Sequence, residues 1–236
     1  RYTPTCTDAC MEGLQVLSEK YQVPVQSHLS EGLDEIEWVK QLKPSLSCYG
    51  EAYDMYDLLG SKQPAVMAHV VHPNEAEYEL IKHRNVLVAH CPQSNTNAAN
   101  GVAPILQMVH DGIRVGLGTD MAGGYNLNLL RTITDAIQAS KLRWCFTERN
   151  GNPFAKKNFL TVANAFYLAT KGGGSFFGKV GSFEPDYEFD AVVLDDAALA
   201  DFVERPVQDR FQRILWLHTA DTVTAKFIQG TCVYQA

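Results

Sequence analysis

At 236 residues, 46% of them apolar and 20% charged, the chain has the composition of an ordinary globular protein with room for one large core or two modest domains. Its 20 basic and 27 acidic side chains leave a net charge of −7, which disfavours nucleic acid or an anionic membrane surface as the main partner. No apolar run reaches the length of a membrane span, and the six cysteines are scattered without a C-x-x-C pair, so the expectation is a cytoplasmic protein with reduced thiols.

Arg1 to Cys6 read as the tail of a strand entering a loop. Thr7-Asp8 then open a helix with apolar residues at Met11, Leu14, Val16 and Leu17. Pro24 to His28 reads as a strand, and Leu29-Ser30-Glu31 leads from it into a charged helix around Glu35 to Leu42. His28 and Glu31 form H-x-x-E at a strand end, a spacing that can aim a metal ligand and a proton-transfer acid into one pocket. The alternative is a core histidine and a first-turn carboxylate favoured by the helix dipole. Tyr49, Tyr53 and Tyr56 recur at helical spacing, as packing or partner surface.

Ala65 to His69 is the next strand, and Pro73-Asn74-Glu75 starts a helix. Val86 to His90 is the third strand, with Cys91 to Asn95 as its loop. A helix from about Pro104 to Asp111 leads to the fourth strand, Ile113 to Leu117. That strand stops at Gly118. Thr119-Asp120 stand at its C-terminal end, and Gly123-Gly124 allow a tight turn. Asp120 either caps the following helix or sits at the catalytic mouth of a parallel barrel. Four strands each ending in histidine or aspartate, spaced as βα units, predict the α/β class: a parallel sheet or barrel with His28, His69, His90 and Asp120 on one rim.

Past Asp120 a helix is expected to about Cys145, then a polar loop from Thr147 to Lys157 and a helix from Thr161 to Thr170. Lys171-Gly172-Gly173-Gly174 lacks the preceding strand and the K-[ST] ending of a phosphate loop, so it reads as a helix stop. Phe189 to Asp195 and Thr224 to Tyr234 read as strands, the second with Gln229-Gly230 at a hairpin position. Phe211 to His218, between them, is a mixed aromatic segment. This tail is β-rich and lies outside the strand–helix repeat.

The segments Q-S-H-L-S-E (26–31), M-A-H (67–69), A-H-C-P-Q-S-N (89–95) and G-L-G-T-D-M-A-G-G-Y (116–125) resemble the amidohydrolase superfamily of metal-dependent deaminases and chlorohydrolases. Within it they resemble the guanine-deaminase family, the loop T-D-x-A-G-G-Y being the more specific part. Arg1-Tyr2 resembles the family's Arg-aromatic segment after strand 4. G-x-F-E-x-x-x-E-F-D-A-V-V (181–193) is similar to the family's return from its barrel to a small β-domain. The implied fold is the C-terminal part of a (β/α)8 TIM barrel of amidohydrolase type with a short β-rich C-terminal segment. Residues 1–180 would form the partial barrel, from the end of strand 4 through strand 8 and its helices, and 181–236 the tail of a composite β-domain. The family's H-x-H pair on strand 1 has no counterpart; His69-Val70-Val71-His72 has the wrong spacing. The resemblance therefore implies a chain corresponding to the C-terminal half of an enzyme.

The resemblance also implies roles. His28 and Asp120 are metal ligands, with zinc the expected metal and the other ligands expected from the H-x-H pair. Asp120 also takes a proton from the attacking water, and Glu31 protonates the purine ring nitrogen beside the attacked carbon. His69 contacts the substrate and steadies the tetrahedral intermediate. Arg1 and Tyr2 bind substrate, Arg1 through the guanine carbonyl, and His90 is structural. The implied reaction is hydrolysis of guanine to xanthine and ammonia, an activity doubtful for such a half alone. Another aminated or chlorinated heterocycle, or an inactive interaction module, is the competing expectation. The exposed sheet edges of half a barrel would favour a homo-oligomer.

Overall fold

The computed structural model describes residues 3–236. Helix α1 (Asp8–Tyr21) begins where the Thr7 hydroxyl accepts the Cys10 backbone N–H at 3.2 Å. Ahead of it, Thr3–Thr5 form a 3-10 turn and not the expected strand tail. Of the apolar residues anticipated for a buried face, only Met11 is buried; Leu14, Val16 and Leu17 are exposed. The covered face of α1 is narrow and includes Met11 and Ser18, one heptad apart; Leu14 borders it, and Val16 and Leu17 lie further round the helix.

Strands β1 (Val25–Leu29), β2 (Ala65–His69), β3 (Leu87–His90) and β4 (Arg114–Leu117) fall within a residue of the expected ranges. They pair in parallel in the order β1-β2-β3-β4. The register sets Leu29 opposite His69 and His90 opposite Leu117, so the histidine-bearing ends lie side by side. The crossovers are α2 (Leu33–Leu42) with the single turn α3 (Glu51–Asp54), then α4 (Glu75–His83), then α5 (Pro92–Asn97) with α6 (Ile105–His110). Parallel strands need such long crossovers, and the helices cover the sheet. Leu29, Met67, Val88 and Val115 from the strands pack with Leu59, Ile81 and Met108 in one buried cluster.

One expectation needs correction here, and one choice between alternatives is decided. Cys91 to Asn95 do not form a loop: Pro92 occupies the first turn of α5, a helix too short and polar to show a hydrophobic period. The three tyrosines are packing and not partner surface, since Tyr49, Tyr53 and Tyr56 are all buried. The Tyr53 hydroxyl donates to the His28 carbonyl at 3.0 Å and lies 2.9 Å from Ser27 Oγ, bracing β1 from behind.

Helix α7 (Leu129–Phe146) and α8 (Val162–Tyr167) follow, α8 opening on a capping box between Thr161 and Asn164. The glycine run is not a stop. The chain winds on as a π-helical turn, Leu168–Gly172, and reaches a 3-10 turn at Ser175–Phe177. Backbone contact explains the glycines. A Cβ on Gly172 would lie 2.7 Å from the Val115 carbonyl oxygen, and one on Gly116 would lie 2.8 Å from Gly173 Cα. The helix thus rests directly on β4.

The remaining elements are β5 (Ala191–Leu194), α9 (Val207–Leu217), β6 (Val223–Ile228) and β7 (Thr231–Gln235), the strands forming an antiparallel sheet in the order β5-β6-β7. The expected second strand is the hairpin β6–β7, turning at Gln229-Gly230 with φ of 47° and 78°. The mixed aromatic segment belongs to α9, whose Ile214 and Leu215 are buried and whose Phe211 ring meets Phe166 at 4.8 Å. The helical period of α9 runs through Val207, Phe211, Ile214 and Leu215, and Phe211 to His218 alone is too short to display it. Among the described residues no helix is long and apolar enough to cross a membrane.

The glycine contacts generate a paired test. Gly116→Ala places a methyl against backbone that cannot yield, so it should destabilise the fold by about 1–3 kcal/mol in urea unfolding. Gly13→Ala, inside α1 with nothing near the added Cβ, should stabilise by about 0.5–1 kcal/mol. Equal effects at the two positions would contradict the helix-on-strand packing.

Candidate functional site

The rim at the C-terminal ends of β1, β2 and β4 gathers two imidazoles and two carboxylates. His28 is the last residue but one of β1, and Glu31 follows in the loop. His69 is the last residue of β2, and Asp120 stands three residues past β4. Glu31 Oε2 lies 3.8 Å from His28 Nδ1 and 3.6 Å from His69 Nε2. His69 Nε2 in turn lies 4.0 Å from Asp120 Oδ2. The His28 and His69 rings meet edge to face, with centroids 5.9 Å apart.

Backbone geometry at this rim is unusual. Ser30, His69, Val70 and Asp120 all have left-handed φ, at 46°, 75°, 45° and 44°. Such residues cost of order 1–3 kcal/mol each and persist only where surrounding bonds impose them. Those bonds are present. Val70 donates to the Leu29 carbonyl at 2.9 Å, while Val71 and His72 donate to the Ser30 carbonyl at 3.0 and 3.1 Å. At Asp120 the turn closes with the Gly124 N–H on its carbonyl at 2.5 Å, and a Cβ on Gly123 would lie 2.5 Å from Asp120 Oδ2. Asp120 does not cap the next helix; Asn128 does, accepting the Leu130 N–H.

Several residues that fix this arrangement escaped the sequence reading. Asn95, on α5, accepts from His69 Nδ1 through its side-chain oxygen at 2.9 Å. In that amide orientation the proton of a neutral His69 is on Nδ1, and the Nε2 lone pair faces two carboxylates. A proton or a cation between them removes that conflict. Glu35, buried in α2, accepts the Glu31 backbone N–H at 3.3 Å and sets Oε1 3.5 Å from His28 Nδ1. Burial raises its pKa above the ordinary carboxylate value. Glu77, 1% exposed, accepts the Ser30 hydroxyl at 2.6 Å and the Gly50 N–H at 2.8 Å. Burial outweighs those two bonds and pushes its carboxyl up to about 7. The signal for Asn95 was present in the S-N pair closing 89–95; Glu35 and Glu77 look like any helix-surface acids.

His90 ends β3 on the same rim but is sealed, 1% exposed. Burial, with His69 second, pushes its pKa down to about 3. It is a neutral imidazole inside the sheet end. Arg1 and Tyr2, expected to bind substrate, lie outside the described residues.

The donor set fits a borderline metal such as zinc. One ligand atom from each of His28, Glu31 and His69 lies within 4.8 Å of the other two, and nitrogen and oxygen donors of this kind suit zinc. This compact trio includes Glu31 and His69; Asp120, the expected second ligand beside His28, approaches it through His69.

A sequence model for the amidohydrolase family matches residues 1–215. Over 98% of its length the chain is 35% identical to a guanine deaminase of Dictyostelium discoideum and covers 51% of it. A mouse guanine deaminase is 33% identical over 98% of the chain, again with 51% of that protein covered. Among solved structures, a guanine deaminase from C. acetobutylicum with guanine in its active site is similar at a TM-score of 0.91 and 41% identity, covering 99% of this chain and 54% of that one. The chain spans about half the length of the curated relatives it matches.

The Glu77 environment sets a pH signature. A carboxyl raised from 4.5 to about 7 binds its proton more tightly in the folded state, so its contribution to stability declines as pH rises through that window. Glu77→Gln removes the titration. The stability of the variant minus that of wild type, from urea unfolding, should therefore climb between pH 4.5 and about 7. A difference that stays flat or falls over that range contradicts the assignment.

Proposed function

The chain belongs to the amidohydrolase family, and from that premise we propose that it carries the proton-transfer residues of an active site that hydrolyses guanine to xanthine and ammonia. The observation that carries the proposal is the convergence of Glu31, His69 and Asp120, each within 4.0 Å of the next, beside His28 on one rim of a parallel sheet. In this reading the four strands are the later strands of a (β/α)8 barrel within residues 1–180, and 181–236 belong to a small composite β-domain. The rim is then the barrel's catalytic mouth.

His28 and Asp120 are the zinc ligands of the proposal, joined by others in the complete site. When bound, the metal supplies the Lewis acidity that makes water nucleophilic near neutral pH. The residues of this chain handle the protons. Asp120 takes one from the attacking water. Glu31, with Oε2 toward the histidines, delivers a proton to the ring nitrogen beside the attacked carbon, which makes that carbon electrophilic. The water oxygen bonds to carbon, the proton held by Asp120 passes to the exocyclic nitrogen, the carbon–nitrogen bond breaks and ammonia leaves, and the proton of the new hydroxyl restores Glu31. His69, held at Nδ1 by Asn95, stabilises the developing charge on oxygen through Nε2 when that nitrogen carries a proton. Arg1, with Tyr2, donates to the purine carbonyl, a group that adenine lacks. Six free cysteines support a cytoplasmic setting, and the exposed Leu14, Leu17 and Tyr21 of α1 support association with a second copy.

Glu31→Gln keeps the shape and loses the proton, so turnover of guanine should fall by roughly 100- to 10,000-fold with zinc content unchanged. Asp120→Asn should lose both turnover and zinc. Ammonia release from guanine, adenine and cytosine and chloride release from a chlorotriazine by the complete enzyme, with metal analysis of each variant, check this. Near wild-type turnover in Glu31→Gln would remove the proton carrier; a preference for another ring would keep the family chemistry and discard guanine.

A further inference from the structure

The two oxygens of Glu31 are not equivalent. Oε2 faces His28 and His69, whereas Oε1 accepts the side-chain N–H of Asn100 at 3.0 Å. Asn100 lies in the turn after α5 and is itself fixed at two further points. Its backbone N–H donates to the Asn95 carbonyl at 2.9 Å, and its own carbonyl accepts from His72 Nε2. The same short segment therefore holds both proton-handling side chains, His69 through Asn95 and Glu31 through Asn100. Two glycines make room for it. A Cβ on Gly32 would come within 3.2 Å of Asn100 Oδ1, and Gly101 follows Asn100 at φ 114°, a backbone conformation that side-chain-bearing residues rarely adopt.

We propose that Asn100 is a positioning residue that anchors Oε1 of Glu31 and so reserves Oε2 for proton transfer. An amide N–H can only donate, so it fixes the carboxylate plane without competing for the proton that Glu31 must carry. A misoriented acid forfeits rate far more than binding, because the proton must arrive along one line. The proposal rests on the reading of Glu31 as the proton carrier.

The test compares Asn100→Ala, Asn100→Asp and Asn100→Ser in steady-state deamination of guanine by the complete enzyme, with thermal melting as a folding control and a crystal structure of Asn100→Ala. The alanine variant should lose about 10- to 100-fold in kcat with KM changed less than about threefold. The aspartate variant fills the same volume but turns an acceptor and a charge toward Oε1, so it should fall below alanine; a space-filling role predicts the reverse. Serine, which keeps a donor, should recover part of the loss. In the crystal the Glu31 carboxylate of Asn100→Ala should be rotated or split between orientations. An unmoved Glu31 in that crystal, or wild-type kcat in Asn100→Asp, overturns the proposal. Absence of guanine turnover in the wild type counts against the function alone, because the crystallographic outcome still decides the positioning role.

Discussion

The site depends on how the loop after β1 is laced to the loop after β2. Ser30 is the knot. Its carbonyl accepts two N–H groups from Val71 and His72, and its hydroxyl donates to a carboxylate rooted in α4. His28 and Glu31 flank this residue, and His69 directly precedes the segment that bonds to it. The distance between Glu31 and the imidazole it faces is therefore set by backbone and buried side-chain bonds, not by the flexible side chains themselves. Left-handed geometry at Ser30, His69 and Val70 is the conformational cost of that lacing, and for the β-branched Val70 it is a steep one.

The electrostatic setting follows from the same layout. Glu31, Glu35 and Asp120 surround two imidazoles, and Glu77 lies one shell behind through Ser30. So many carboxylates around two imidazoles call for a positive charge among them, which is the condition under which a pocket captures a metal ion. Burial acts in opposite directions on the two groups it perturbs most clearly here, raising Glu77 to about 7 and lowering His90 to about 3, so both favour their neutral forms. His90, so sealed, fills the sheet end without adding charge.

Much of this was legible in the chain. Apolar runs ending at His28, His69, His90 and before Asp120 gave the strands, their parallel order and the shared rim, because strand burial and strand-end polarity both leave marks in sequence. What stayed hidden has a physical pattern. α5 is too short and polar to carry a period. The glycine run at 172–174 looked like an ending because glycine's usual service is at helix ends, while here it permits backbone contact with β4. Asn95, Asn100 and Glu77 act through partners distant in sequence, 69 residues in the case of Asn100 and Glu31, and Glu35, though near Glu31 in sequence, looks like any helix-surface acid.

The central claim is that Glu31 moves protons while His28 and Asp120 hold the metal. Diffraction from zinc-loaded crystals, with anomalous data on both sides of the zinc edge, tests it most directly. The account predicts an ion bonded at about 2.0–2.2 Å by a nitrogen of His28 and a carboxylate oxygen of Asp120, with both Glu31 oxygens beyond bonding distance. An ion held by Glu31 together with His28 and His69, leaving Asp120 outside, would contradict it.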